Sequence, residues 1–154
     1  MTPTERAARA VLDAYAAGEL ERLRDLVTAD FVDHGMPGVV PPGPDGYIAT
    51  LGFVGAVLQA RYEVHEVVAS GDYVAIRATV HGVHNSDYLG VPATGKPFAM
   101  PTMHLYRGEG DRLAEHWGVR DELSVLRQVG AMAPPPLPDL SAGLTNSGTA
   151  SSRR

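Results

Sequence analysis

The stretch Met103–Arg120, MHLYRGEGDRLAEHWGVR, decides how the chain folds. On both sides of Gly108-Glu109-Gly110-Asp111 apolar and polar residues alternate, the period of a half-buried strand. The Gly- and Asp-rich centre suits a tight hairpin turn. Pairing Tyr106 with Leu113 would set His104 opposite Glu115 and Thr102 opposite Trp117. One face then carries Thr102, His104, Tyr106, Leu113, Glu115, Trp117, Val119 and Asp121, a mixture of aromatic and ionisable groups that suits the wall of a small-molecule site. A slip of one residue would exchange the two faces. Asp121 follows this strand and opens DELSVLRQVG. It either caps that last helix or faces a cavity and moves a proton.

Outward from the hairpin, the same period of two gives two earlier strands, RYEVHEVVAS and DYVAIRATVHGVH, and extends the hairpin's first strand to KPFAMPTMHLYR. Gly71-Asp72 marks another turn, and NSDYLGVPATG is the longest inter-strand loop. Upstream the spacing is helical. Thr4 is placed to cap a helix running to about Ala17, with Ala8, Val11, Leu12 and Tyr15 on one face. Gly18 breaks it, ELERLRDLV resumes it, and TADFVDHGMPG leaves helical periodicity. Pro44 suits the first turn of a third helix, in which Tyr47, Leu51, Val54 and Leu58 recur on one side. Helices first and a mostly antiparallel sheet afterwards make an α+β domain, with a pocket between the two layers.

The 154 residues are enough for one domain with a real core, placed at residues 1–132. Residues 133–154 form a Pro-, Ser- and Gly-rich tail too poor in apolar groups to fold alone. With 44% hydrophobic and 20% charged residues the composition is that of a soluble globular protein. The net charge of -5, without any basic cluster before Arg153-Arg154, argues against nucleic acid and anionic membranes as partners. There is no cysteine, so disulfides and thiol chemistry are excluded, and no apolar run approaches a membrane span. The expected location is the cytoplasm. His81 and His84, three apart on a strand, point to opposite faces and make a poor metal pair. No phosphate-binding glycine loop and no Gly-x-Ser-x-Gly elbow occurs.

VAIRATVHGVHNSDYLGVPATGKPF, then MHLYR, LAEHW, Asp121 and LRQVG, with FVDHGMPG upstream, resemble the SnoaL-like polyketide cyclases over about Arg6–Gly130. Val83 and the NSDY turn depart from the pattern of that family. The resemblance implies an NTF2-like cone, N-terminal helices packed on a curved sheet. It also implies a cofactor-independent aldol-type ring closure of a polyketide ester, with Asp121 as acid/base and His104 as its helper. Tyr15, His34, Tyr47, Phe53 and Trp117 are the expected substrate-binding residues. No metal or other cofactor is expected; the partners are a small polyketide-like molecule and a second copy of the chain, as a homodimer or higher oligomer. Two rivals share the scaffold: epoxide hydrolysis or cofactor-free hydroxylation, and non-catalytic binding of an apolar ligand. Epoxide opening requires Asp121, Glu115 and Arg77 to face inward together. Ligand binding alone predicts Asp121 engaged in capping and no ionisable pair converging in the cavity.

Overall fold

The computed structural model describes residues 1–35 and 40–141. The end of the FVDHGMPG stretch and residues 142–154 of the expected tail lie outside the described residues. The first helix, α1, spans Pro3–Ala17. Its cap is Thr2, whose hydroxyl accepts from the Glu5 N–H, rather than Thr4, which is buried. Pro3 fixes φ where no N–H partner is needed. Gly18 ends the helix in the left-handed conformation (φ 72°). A 3₁₀ turn at Leu20–Arg22 leads into a single helical turn, α2, Leu23–Leu26.

A strand, β1, Val27–Asp33, then begins where the sequence reading saw only the loss of helical period. Helix α3 covers Pro44–Leu58, and β2 (Arg61–Ser70), β3 (Tyr73–Val83), β4 (Pro97–Glu109) and β5 (Arg112–Arg120) follow. Helix α4, Glu122–Gln128, closes the domain. After it, residues 133–141 are exposed.

The five strands form one curved, open sheet in the order β1-β5-β4-β3-β2. Only β1–β5 is parallel; the other neighbours are antiparallel hairpins. β1 is short and broken in register between Val27 and Val32, which hides its period of two. Its pairing nonetheless carries Asp33 beside His116.

Helices α1, α2 and α3 pack on one face of the sheet. The main core joins Ala8, Val11 and Ala14 of α1 to Leu23, Phe31, Tyr47, Val74, Ile76, Tyr106 and Leu113. A second cluster, Leu58, Val80, Phe98, Met100, Val125 and Val129, seats the end of α3 and all of α4. Among the described residues no helix is long and apolar enough to cross a membrane.

The β4–β5 hairpin corrects the expected register. Glu109 pairs with Arg112 across a Gly110-Asp111 turn, and Gly108 with Leu113. A bulge at Ala114 then sets Arg107 against Glu115, Tyr106 against His116 and His104 against Gly118. The tighter turn and the extra residue move β5 by an odd number of places, so its faces exchange. The inner face carries Thr102, His104, Tyr106, His116, Gly118 and Arg120. Glu115, Trp117 and Val119 turn outward.

Candidate active site

A hydrogen-bonded chain of side chains runs through the interior from β1 to β4. Asp33 Oδ1 accepts from His116 Nδ1 (2.9 Å) and from the Gly35 backbone N–H (2.8 Å). His116 Nε2 lies 2.9 Å from His104 Nδ1, and His104 Nε2 lies 3.1 Å from Thr102 Oγ1. The Thr102 hydroxyl is also 3.2 Å from the Ala78 carbonyl oxygen. Asp33 and His116 are almost closed to solvent, with side-chain exposures of 7% and 6%.

Counting donors and acceptors leaves three satisfactory proton arrangements. In one, Thr102 donates to Ala78, His104 donates through Nε2 and accepts at Nδ1, and His116 donates from both nitrogens as an imidazolium facing the Asp33 carboxylate. The second has the same number of protons but puts the charge on His104, which donates from both nitrogens while His116 accepts at Nε2. In the third, Thr102 donates to His104 Nε2, His104 Nδ1 donates to His116, and both rings are neutral.

The electrostatics agree with this inventory. Burial, then the nearby His116 and Arg120, pulls the His104 pKa down to about 3. Burial alone would raise the Asp33 carboxyl, but the His116 hydrogen bond and charge, the Gly35 N–H and Arg120 together hold it below the ordinary value. A charge on the pair of histidines is therefore disfavoured at His104.

Aromatic rings wall the chain in. Tyr106 stacks on His116 at 4.6 Å, and its hydroxyl meets that of Tyr47 at 2.9 Å. Tyr62 stands edge-on to His104 at 5.8 Å. A small enclosed chamber of about 20 Å³ lies among His104, Tyr106, Tyr47, Tyr62, Tyr15 and Leu51. A second cavity of about 80 Å³ lies between Phe53, Tyr62, Tyr88, Met100, Arg120 and Glu122. Arg120 spans towards β1, donating to the Gly35 carbonyl at 2.6 Å. Tyr88 donates to Glu122 at 3.0 Å.

Among the residues expected from sequence, His104, Tyr47, Tyr15 and Phe53 all border these spaces. Tyr15 donates to the Ala60 carbonyl at 2.6 Å, and burial, then Tyr62, pushes its pKa up to about 12. Phe53 is 44% exposed at the rim of the second cavity. His34 and Trp117 are elsewhere. They stack on each other at 4.7 Å on the outer face, where His34 also meets Glu115 at 2.9 Å.

Asp121 and His104 are not brought together. Asp121 is exposed at the start of α4, where its carboxylate accepts from the Ser124 N–H at 2.9 Å and caps the helix. Glu115 binds Arg107 at 2.6 Å and Arg77 binds Glu66 at 2.9 Å, both away from the cavity, so the three groups needed for epoxide opening do not converge. The capping of Asp121 is what ligand binding alone predicts. Of the Asp33–His116–His104 chain only His104 borders the chamber; Asp33 and His116 lie behind it.

Sequence reasoning missed Asp33 and His116 as site residues. Asp33 lies in TADFVDHGMPG, whose loss of helical period does not reveal β1, and the expected hairpin register would turn His116 outward. The signal was the third polar residue of the inner face: with His104 and Tyr106 inward on β4, any odd shift of β5 brings His116 beside them.

His81 and His84 take opposite faces as expected: His81 meets Glu63 at 2.7 Å, while the buried His84 bonds Thr94 at 3.0 Å. Among the described residues no group of three His, Asp or Glu side chains is arranged to hold a metal ion.

Comparison with known proteins gives the same picture of the fold and its lineage. The chain is 24% identical over 140 residues to the aklanonic acid methyl ester cyclase DauD of Streptomyces sp. (strain C5), covering 88% of this chain and 87% of that one. It is 24% identical over 127 residues to the nogalonic acid methyl ester cyclase of Streptomyces nogalater, covering 78% and 92%. The structure of IdmH from Streptomyces antibioticus superposes with a TM-score of 0.70 at 32% identity, over 84% of this chain and 99% of that one. TsrD from Streptomyces laurentii gives 0.73 at 25% identity, over 84% and 96%. The family model described as SnoaL-like polyketide cyclase matches residues 5–129, and with the cone-shaped α+β architecture around His104 this places the chain in the SnoaL-like polyketide cyclase family.

Proposed function

We propose that the protein is a cofactor-independent cyclase that closes a ring in a polyketide methyl ester by intramolecular aldol addition, with His104 as the acid/base group. The observation that carries the assignment is the buried Asp33–His116–His104 chain, which stores one proton. A methylene between two carbonyls is already acidic, so a neutral imidazole suffices to remove its proton. His104 Nε2 takes that proton, and His104 Nδ1 passes its own to His116 Nε2. The neutral arrangement thereby becomes the one with His116 charged beside Asp33.

The enolate carbon then attacks the receiving carbonyl. One carbon–carbon bond forms, the carbonyl oxygen becomes an alkoxide, and the stored proton returns through His104 to that oxygen. Product and substrate are isomers, and the balance needs no oxidant or reductant. Arg120, at the edge of the second cavity, is the cation placed to stabilise the enolate oxygen. The outward apolar side chains Met103, Leu105 and Val119 support a homodimer through the sheet face away from the cavity.

Incubation with aklanonic acid and nogalonic acid methyl esters, followed by chromatography and mass measurement, tests the assignment. It is complemented by deuterium exchange into the central methylene of methyl 3-oxobutanoate. The expected result is a product of unchanged mass and exchange above the buffer rate, both lost in His104→Ala. Neither cyclised product nor enhanced exchange would remove the reading.

A further inference from the structure

The cavity at Arg120 encloses about 80 Å³. That is space for only a few non-hydrogen atoms, since a water takes about 30 Å³ in the liquid. A methoxycarbonyl group is of this size; a fused ring system is not. Phe53, Val80 and Met100 make much of the wall apolar. The charged groups that line it are Arg120 and Glu122, and they oppose each other, with Glu122 Oε1 3.7 Å from Arg120 Nε. Tyr88 holds Glu122 in place, donating to Oε1 at 3.0 Å.

We infer that this cavity takes the ester end of the substrate, and that Glu122 is the specificity residue that admits the methyl ester and rejects the free acid. The inference rests on the cyclase reading, which puts a β-keto ester at Arg120. A guanidinium on its own is the favoured partner of a carboxylate. Here its charge is already answered. Glu122 lies in ion-pair range, the Asp33 carboxylate shares the field of Arg120, and Nη2 donates to the Gly35 carbonyl at 2.6 Å. The other N–H groups of Arg120 suit a neutral carbonyl oxygen.

An incoming carboxylate would face the Glu122 carboxylate across a space a few atoms wide, and like charges set together in a binding site repel. The wall itself registers that field. Burial, then the charge of Glu122 and its hydrogen bond, push the Tyr88 hydroxyl above the ordinary phenol value. An ester meets no such opposition, and its methyl group finds Phe53 and Met100 beside it. Glu122 thus selects by repelling the wrong molecule rather than by gripping the right one.

The test compares two probes that differ by one ester methyl. Dimethyl malonate is a neutral diester; monomethyl malonate carries one carboxylate at neutral pH. Their Kd values on the full chain are read by ligand-observed NMR titration. Glu122 is 40% exposed, so solvent screens part of the repulsion, and the half-ester should bind the wild type about tenfold more weakly than the diester. Glu122→Gln keeps an acceptor for Tyr88 and removes the charge. It should abolish that ratio, or invert it as Arg120 becomes free to pair with the carboxylate. Tyr88→Phe removes the hydrogen bond, keeps the charge and should preserve the ratio. Equal Kd values in the wild type, an unchanged ratio in Glu122→Gln, or a ratio lost in Tyr88→Phe overturns the role of Glu122. A diester that does not bind the wild type overturns the ester pocket. Deuterium exchange into methyl 3-oxobutanoate is measured alongside. Absent exchange with the ratio intact removes the cyclase reading and leaves a cavity selective for esters.

Discussion

His116 Nε2 and His104 Nδ1 face each other at 2.9 Å, with their rings 16° from parallel and Tyr106 stacked on His116. Two imidazoles sharing a hydrogen bond in a closed site hold a single excess proton between them, because a second charge would be both buried and repelled. Asp33 Oδ1 sits 2.9 Å from Nδ1 at the His116 end of the pair.

Replacing either end of this chain has separable effects. His104→Ala removes the proposed acid/base group and should lower kcat by about 10²-fold or more. Asp33→Asn keeps an acceptor for His116 but removes its counter-charge. Its kcat should fall while KM changes little, and the acid limb of the kcat–pH profile should move to lower pH. Steady-state rates across the pH range would check this, and an Asp33→Asn profile overlying the wild type would mean that the carboxylate holds no proton-linked role.

Acid should destabilise the fold earlier than carboxylates alone would require. His104 has a pKa of about 3 when folded, against about 6.5 in an unfolded chain. Between those values the unfolded state binds more protons, so stability rises with pH and is lost as pH falls below about 6.5. The contribution amounts to at most about 1.4 kcal/mol per pH unit through that window. The lowered Asp33 carboxyl adds a loss of the same sign near and below its ordinary unfolded value. Melting temperatures from pH 7 to pH 4 should fall for the wild type and fall less steeply for His104→Gln. Parallel slopes would mean that His104 is protonated in the folded protein.

The helices, four of the five strands and the α+β class were legible because each carried its own period or its own punctuation. Gly18 and Pro44 bounded helices by backbone geometry that no neighbour alters. What failed was non-local. β1 is recognised only through its parallel partner β5, and the facing of His116 and Trp117 depends on a bulge at Ala114 that no alternation announces. Asp121 was legible as a cap from DELS alone. Its other expected role came from the resemblance, and the fold sets it in solvent at the end of α4.

Asp121 variants should therefore read as helix-cap variants. Asp121→Ala leaves the Ser124 N–H without its acceptor and should cost about 1 kcal/mol of stability. Asp121→Asn is itself a good cap and should be close to neutral. Turnover per folded molecule should be retained in both. Loss of turnover in Asp121→Asn, with its melting temperature unchanged, would return the acid/base role to this residue.

Trp117 offers a check on the register. It lies on the outer face against His34, so Trp117→Phe should leave the Kd of a cavity ligand unchanged. Its fluorescence should not respond to a ligand filling the cavity at Arg120. Strong quenching by such a ligand would mean that β5 presents Trp117 inward.

Gly82 tests how α3 is held over the sheet. A Cβ there would stand 2.5 Å from Phe98 Cζ and 2.7 Å from the Leu58 carbonyl oxygen. The ring has some room to rotate, but the carbonyl belongs to the last residue of α3 and moves only with the helix. Gly82→Ala should cost about 1–3 kcal/mol, the usual range for forcing an atom into a packed core. Because α3 carries Phe53 and Thr50 at the rim of the cavity by Arg120, lifting its last turn should also weaken ligand binding there. Denaturant unfolding and Kd measured on the same variant separate the two effects. Full stability in Gly82→Ala would show that the end of α3 does not rest on β3, and the rim would then need another support.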